Sequence, residues 1–166
     1  MANFLLDTNV IVDASSAKIL ECLKYSLFYV SYVVYKEEVL KQIPIINENE
    51  VNLINETSEE LLLAKDYHTL NKNISFYDAI NLAIAKTRKM ILVTGDQQLI
   101  KKANKENVEC VGVLKLIEVM INNELIDING SIIALQNLKL DSKRRIPHSL
   151  VDLFIEKIKS RKVFAK

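Results

Sequence analysis

The stretch NFLLDTNVIVD (residues 3–13) runs three apolar residues, Phe4 to Leu6, straight into Asp7, Thr8 and Asn9. A short apolar run of this kind reads as a buried strand, and the polar triplet marks its carboxyl end. A second passage, MILVTGDQQL (90–99), has the same form, a near-continuous apolar strand ending in Thr94, Gly95 and Asp96. Two buried strands that each end in a carboxylate decide the fold class. In open α/β sheets that edge is where ligands bind.

Working outward, LFYVS (27–31) is aromatic and β-branched and predicts a second strand. VNLI (51–54) predicts a third, and VECV (108–111) a last one before Gly112. Between them, Ser15 or Ser16 is placed to cap a helix carrying Ile19, Leu20 and Leu23. The pattern is helical again from Val33 to Ile43, until Pro44 stops it. Thr57 with Glu60 has capping-box spacing and opens a helix over Leu61 to Leu70; Ser75 with Asp78 opens DAINLAIAKTRK in the same way. A further helix spans 97–106. This alternation predicts a doubly wound parallel sheet flanked by helices. Beyond Gly112 the strands stop, and VLKLIEVMI (113–121), SIIALQNL (131–138) and SLVDLFIEKI (149–158) predict an all-α C-terminal extension. The expected division is an α/β domain over 1–116 and a helical extension over 117–166, packed on it. In the last helix Leu150, Leu153, Phe154 and Ile158 recur at helical spacing and are expected to dock on the body.

The composition narrows the function. With 166 residues, 49% of them apolar, the chain can bury a sizeable core without disulfides or a structural metal. Three glycines and two prolines leave no room for a Gly-rich phosphate loop. Cys22 and Cys110 are far apart, with no C-x-x-C, and read as small buried hydrophobes of a reducing compartment. No stretch predicts a membrane span, and Asp7 interrupts any secretory leader, so a cytoplasmic location is expected. The net charge of +1 conceals an asymmetry: residues 139–166 carry nine Lys or Arg against three Asp or Glu, the rest thirteen against eighteen. An acidic body with a basic tail fits two electrostatic tasks, although a solvated terminal helix is the simpler account of the tail.

Asp7 and Asp96 fall at strand ends, and Asp78 opens a helix on the same edge. Either Glu37 or Glu38 is placed to supply a fourth acid. Each residue taken singly has a structural explanation: an Asx turn, a capping box, a Gly-Asp turn. Together at matching strand ends they point to a shared site. Three or four converging carboxylates repel unless protons or a cation neutralise them. Hard cations such as Mg²⁺ or Mn²⁺ accept such oxygens, and so held they can activate water beside a phosphate. That combination points to phosphodiester hydrolysis. With His68 and His148 as the two histidines, a paired-histidine ribonuclease is hard to build. G-x-S-x-G, H-E-x-x-H and a Walker lysine are absent from the sequence, and Asn9 stands where a haloacid-dehalogenase-type phosphatase would carry a second Asp.

These residues resemble the PIN domain, the metal-dependent nuclease family that includes VapC-type toxins. LLDTNVIVD (5–13), SFYDAINLAIA (75–85) and LVTGDQQLIKKA (92–103) follow the family's order and approximate spacing, over about residues 3–116. The resemblance implies a PIN-like sheet with Asp7, Asp78 and Asp96 as metal-binding acids and one glutamate from YKEEV (35–39). Ungapped spacing from Ser31 favours Glu37, and a one-residue shift selects Glu38. The implied activity is an endoribonuclease that hydrolyses RNA with Mg²⁺ or Mn²⁺ held by Asp7, Glu37, Asp78 and Asp96. Asn9 and Thr94 would orient the acids or the water from behind. A toxin–antitoxin role, an antitoxin protein partner and a homodimer belong to the same expectation. The segment 112–158 resembles the helical extension of an uncharacterised prokaryotic PIN-like group, and typical VapC toxins are shorter. From the basic tail, Arg144 and Arg145 are expected to contact RNA phosphates. The alternative is a catalytically silent PIN-like module that binds RNA or a protein partner.

Overall fold

The computed structural model describes residues 2–70, 72–143 and 146–164, the last four as backbone. Strand β1 (Phe4–Leu6) is followed at once by helix α1 (Thr8–Ser16), whose Val10, Ile11 and Ala14 are buried on one side. Ser15 and Ser16, expected to cap a helix, instead lie in the last turn of α1. Asp7 occupies its N-cap position but makes no side-chain cap hydrogen bond. The local capping signal is missing because that carboxylate is engaged elsewhere. Where a helix over Ile19, Leu20 and Leu23 was expected, a 3-10 turn runs over Leu20–Lys24, after a break at Lys18 with φ 61°.

Strand β2 (Phe28–Ser31) leads into helix α2 (Tyr32–Val34), which continues through a π-helical turn, Tyr35–Val39, into α3 (Leu40–Gln42). After β3 (Leu53–Ile54) come α4 (Ser58–Leu70), α5 (Phe76–Thr87), β4 (Ile91–Val93), α6 (Gln97–Lys105) and β5 (Cys110–Val111). Both predicted capping boxes are formed. Thr57 N–H donates to Glu60 Oε2 at 2.8 Å, and Ser75 N–H to Asp78 Oδ2 at 2.9 Å. Three helices follow: α7 (Val113–Asn122), α8 (Ile128–Leu140) and α9 (His148–Phe164).

The five strands form one parallel sheet in the order β3-β2-β1-β4-β5. The chain works outward from β1 to one edge, then returns to the other side of β1. The sheet therefore has a topological switch point between β1 and β4, where the connections lead to opposite faces and leave a crevice beyond the carboxyl ends. Leu6 pairs with Val93 in register, so Asp7 and Thr94 emerge side by side at that crevice.

Period-2 alternation divides the core between the two faces of the sheet. Leu5 and Leu92 point to the side covered by α4, α5 and α6, with Ala64, Leu82 and Leu99. Phe4, Leu6 and Val30 point to the other, where Val10 and Ile11 of α1 meet Leu116, Leu135 and Val151 of α7, α8 and α9. The C-terminal helices thus belong to a single apolar cluster with β1, and α7 runs across position 116. Of the expected docking stripe of α9, Ile158 is buried and Phe154 packs against the cluster, whereas Leu150 and Leu153 are 51% and 68% exposed and Val151 and Ile155 are buried in their place. Among the described residues, no helix is long and apolar enough to cross a membrane.

Candidate functional site

The crevice at the switch point collects acids from four segments. Asp7 follows β1 and is 2% exposed. Its N–H donates to the Val93 carbonyl at 3.0 Å, and Thr94 Oγ1 donates to its Oδ2 at 2.8 Å, so the carboxylate is clamped across the two central strands. The same Thr94 oxygen accepts from Asp96 N–H at 3.1 Å. One threonine thereby positions both strand-end acids, from a site that is itself buried.

Asp96 caps α6 with a single oxygen: Oδ1 accepts from the N–H groups of Gln98 and Leu99, both at 2.8 Å. Asp78 likewise commits Oδ2 to its capping box with Ser75. In both cases the hydrogen bonds of the described residues use one carboxylate oxygen and leave the other. The capping explanation and the site explanation are therefore compatible, with each oxygen given a separate task.

The fourth acid is Glu38. Thr8 Oγ1 donates to Glu38 Oε2 at 2.8 Å, which ties the π-helical turn to the start of α1. Glu37 takes the opposite direction: its Oε2 accepts from Lys41 Nζ at 3.3 Å, and its side chain is 52% exposed. The expected Glu37 therefore does not join the other acids, and the structure brings Glu38 there instead. Neighbours on a helix point roughly 100° apart, so one of the two at most can face the crevice. The π turn, closed by the Leu40 N–H to the Tyr35 carbonyl, sets which.

Electrostatics show how closely these groups sit. Burial, then the negative charge of Asp78, pushes Asp7 up to about 7, against the Thr94 hydrogen bond and with a smaller push from Glu38. Burial also raises Glu38, opposed by its Thr8 hydrogen bond and reinforced by Asp78. Asp78 is raised by burial too, with Asp96 adding to it. Acids that raise one another across a crevice form one charged cluster. The donor set, carboxylate oxygens alone, suits a hard dication. Asp7, Glu38, Asp78 and Asp96 would hold it.

Asn9 is exposed and Thr94 buried, so of the two residues expected to support the acids, Thr94 makes the contact. Thr8, which the sequence reading passed over, supports Glu38. Arg144 and Arg145 lie outside the described residues. Asn81 was also passed over. It lies one helical turn after Asp78, is 0% exposed, and neither its Nδ2 nor its Oδ1 has a partner among the described residues. An orphaned buried amide costs about 1–3 kcal/mol. Asn81→Leu keeps the branching and removes the polar atoms. It is expected to raise the melting temperature by a few degrees, at roughly 2–4 °C per kcal/mol for a chain of this size. Thermal denaturation checks this, and a lowered melting temperature would show that the amide holds a buried water.

Two clefts flank α6. One, of about 430 Å³, opens beside Thr94 and Gly95 and has Val113, Leu114 and Leu150 on its far wall. The other, of about 360 Å³, is polar and runs along Gln98, Lys101 and Lys105. In comparisons with known proteins, no family model matches this sequence and no curated protein matches it.

Proposed function

We propose that this chain is a PIN-like, divalent-metal-dependent endoribonuclease whose acids are Asp7, Glu38, Asp78 and Asp96. One observation carries the reading. Acids from four separate segments lie at the switch point of a parallel sheet, and burial, reinforced by neighbouring carboxylates, raises the proton affinity of Asp7, Glu38 and Asp78. Such a cluster is electrostatically costly unless a ligand of positive charge completes it.

Bound Mg²⁺ or Mn²⁺ would supply charge neutralisation at the phosphate and a more acidic water. The chain's own residues do the rest. Thr94 fixes the rotamer of Asp7 and the backbone of Asp96, Thr8 fixes Glu38, and Ser75 fixes Asp78. The acids are therefore oriented before any ligand arrives, which limits the reorganisation required on binding. Burial lets Asp7 hold a proton up to about pH 7, and a bound cation would favour its ionised form. The toxin role, an antitoxin protein partner and a homodimer remain part of this proposal, as does a cytoplasmic location.

The test is cleavage of a mixed RNA pool with and without Mn²⁺, comparing wild type with Asp96→Asn. Wild type is expected to cleave only with metal, and the variant at least ~100-fold more slowly, a loss typical of removing one electrostatic contact at the reacting centre. Millimolar Mn²⁺ should also raise the wild-type melting temperature by binding the folded state, and the variant's less. Equal behaviour of the two proteins would favour the silent RNA- or protein-binding module.

A further inference from the structure

We propose that the polar cleft along α6 is the track for the phosphates of a single RNA strand next to the acid cluster, with Lys101 and Lys105 as its cations. This rests on the nucleic-acid reading of the cluster and adds the path by which the strand reaches it.

The cleft is bounded by the two segments that deliver acids to the crevice. On one wall Leu70 and Asn73 lie on the approach to Ser75 and Asp78. On the other, Gln98, Lys101 and Lys105 continue the helix that Asp96 caps. Gln98, whose N–H donates to Asp96 Oδ1, lines the space of about 360 Å³ near the start of α6, and Lys105 lines it at the other end of the helix, so it leads away from the Asp96 cap. A strand whose phosphate sits at four acids is repelled there, and cations immediately outside the crevice offset that repulsion.

The three lysines are not equivalent. Lys102 donates to Glu106 Oε1 at 2.8 Å and lies 4.7 Å from the centre of the Tyr67 ring, so its charge is already engaged. Lys101 and Lys105 are exposed, and neither has an ion pair among the described residues. They sit one helical turn apart, about 6 Å along the axis, on the same side of α6. Gln98, exposed in the first turn, adds a side chain able to donate to a phosphate or sugar oxygen. The rim is polar and cationic with little apolar floor, which suits a phosphate backbone better than stacked bases.

The experiment compares wild type with the double variant Lys101→Gln/Lys105→Gln in binding a fluorescein-labelled single-stranded oligo-uridine, with EDTA present so that nothing is cleaved. The variant is expected to bind roughly tenfold more weakly at about 100 mM salt. Its plot of log affinity against log salt should be shallower by about 1.4, since each single-strand phosphate contact contributes about 0.7. Melting temperature and its Mn²⁺-induced rise should match wild type, which separates a lost track from a lost fold. Unchanged affinity and slope, or no oligonucleotide binding by wild type, would overturn the proposal. So would polyglutamate binding as tightly as the oligonucleotide, which would assign the cleft to an acidic polypeptide. The two readings fail separately. Lysine-dependent binding without any cleavage keeps the track and removes the hydrolysis, whereas cleavage with unaltered binding in the variant does the reverse.

Discussion

Glu38→Gln is expected to slow Mn²⁺-dependent RNA cleavage by at least about 100-fold, and Glu37→Gln to leave it within about twofold. The pair is informative because the two residues adjoin in sequence and share charge, size and helix. Glu38 is held by Thr8 and electrostatically coupled to Asp78, whereas Glu37 is paired with Lys41 at the surface. Loss of an exposed i,i+4 pair is worth only about 0.3–0.5 kcal/mol, so Glu37→Gln should also leave stability nearly unchanged. Single-turnover cleavage of one defined RNA by the two variants, side by side, is the measurement. Equal loss in both would mean that the turn repacks when ligand binds, and the reverse order would return the site to Glu37.

The second large effect is on stability. In metal-free protein, Asp7→Asn should raise the melting temperature at pH 8 by several degrees and flatten its pH dependence. Asp7 keeps its proton in the fold up to about pH 7, while an unfolded aspartate loses it near 4. Folding therefore takes up a proton between those values. The stabilisation is complete below about pH 4 and is lost as pH rises through about 7, at up to about 1.4 kcal/mol per unit. Glu38 and Asp78, both raised, act in the same direction. Glu60, Glu106 and Glu118 act in the opposite one, held down at about 2 by Arg88, by Lys102 with Lys86, and by Lys115 with Lys157. Their contribution is present above about 4.5 and lost as pH falls toward 2. Metal-free wild type should therefore be most stable in weak acid. An asparagine can still accept the Thr94 hydrogen bond but carries no charge into the crevice. The gain at pH 8 should be about 3 kcal/mol, or roughly 6–12 °C. Thermal melts from pH 5 to 8 in EDTA decide it, and parallel curves for the two proteins would show that Asp7 is not the strained acid.

Much of this was legible in the sequence, for identifiable reasons. Apolar runs ending in Asp7 and Asp96 survive as a one-dimensional signal because a parallel strand buried on both faces must be apolar along its length. The capping pairs Thr57–Glu60 and Ser75–Asp78 are equally local. What failed was phase and partner. The start of α1 is concealed because Asp7 sits at its cap while its side chain reaches across to Thr94, 87 residues away. The choice between Glu37 and Glu38 turns on the helical phase of a single π-helical turn, which periodicity alone does not resolve. Asn81 reads as an ordinary helix residue until the packing around it is known.

The two faces of the sheet also become complete at different moments of synthesis. The face covered by α4, α5 and α6 has all its apolar members once residue 110 has emerged, and every acid of the crevice has been made by residue 96. The opposite face waits for Ile158, because Phe4 and Leu6 share their cluster with the last helix. Between these points a nascent chain has every acid of the crevice while one apolar face of its sheet still lacks residues that cover it. Contacts spanning the whole chain are slow to form and leave apolar surface open to aggregation meanwhile. Completion of the C-terminal helices is what ends that exposure.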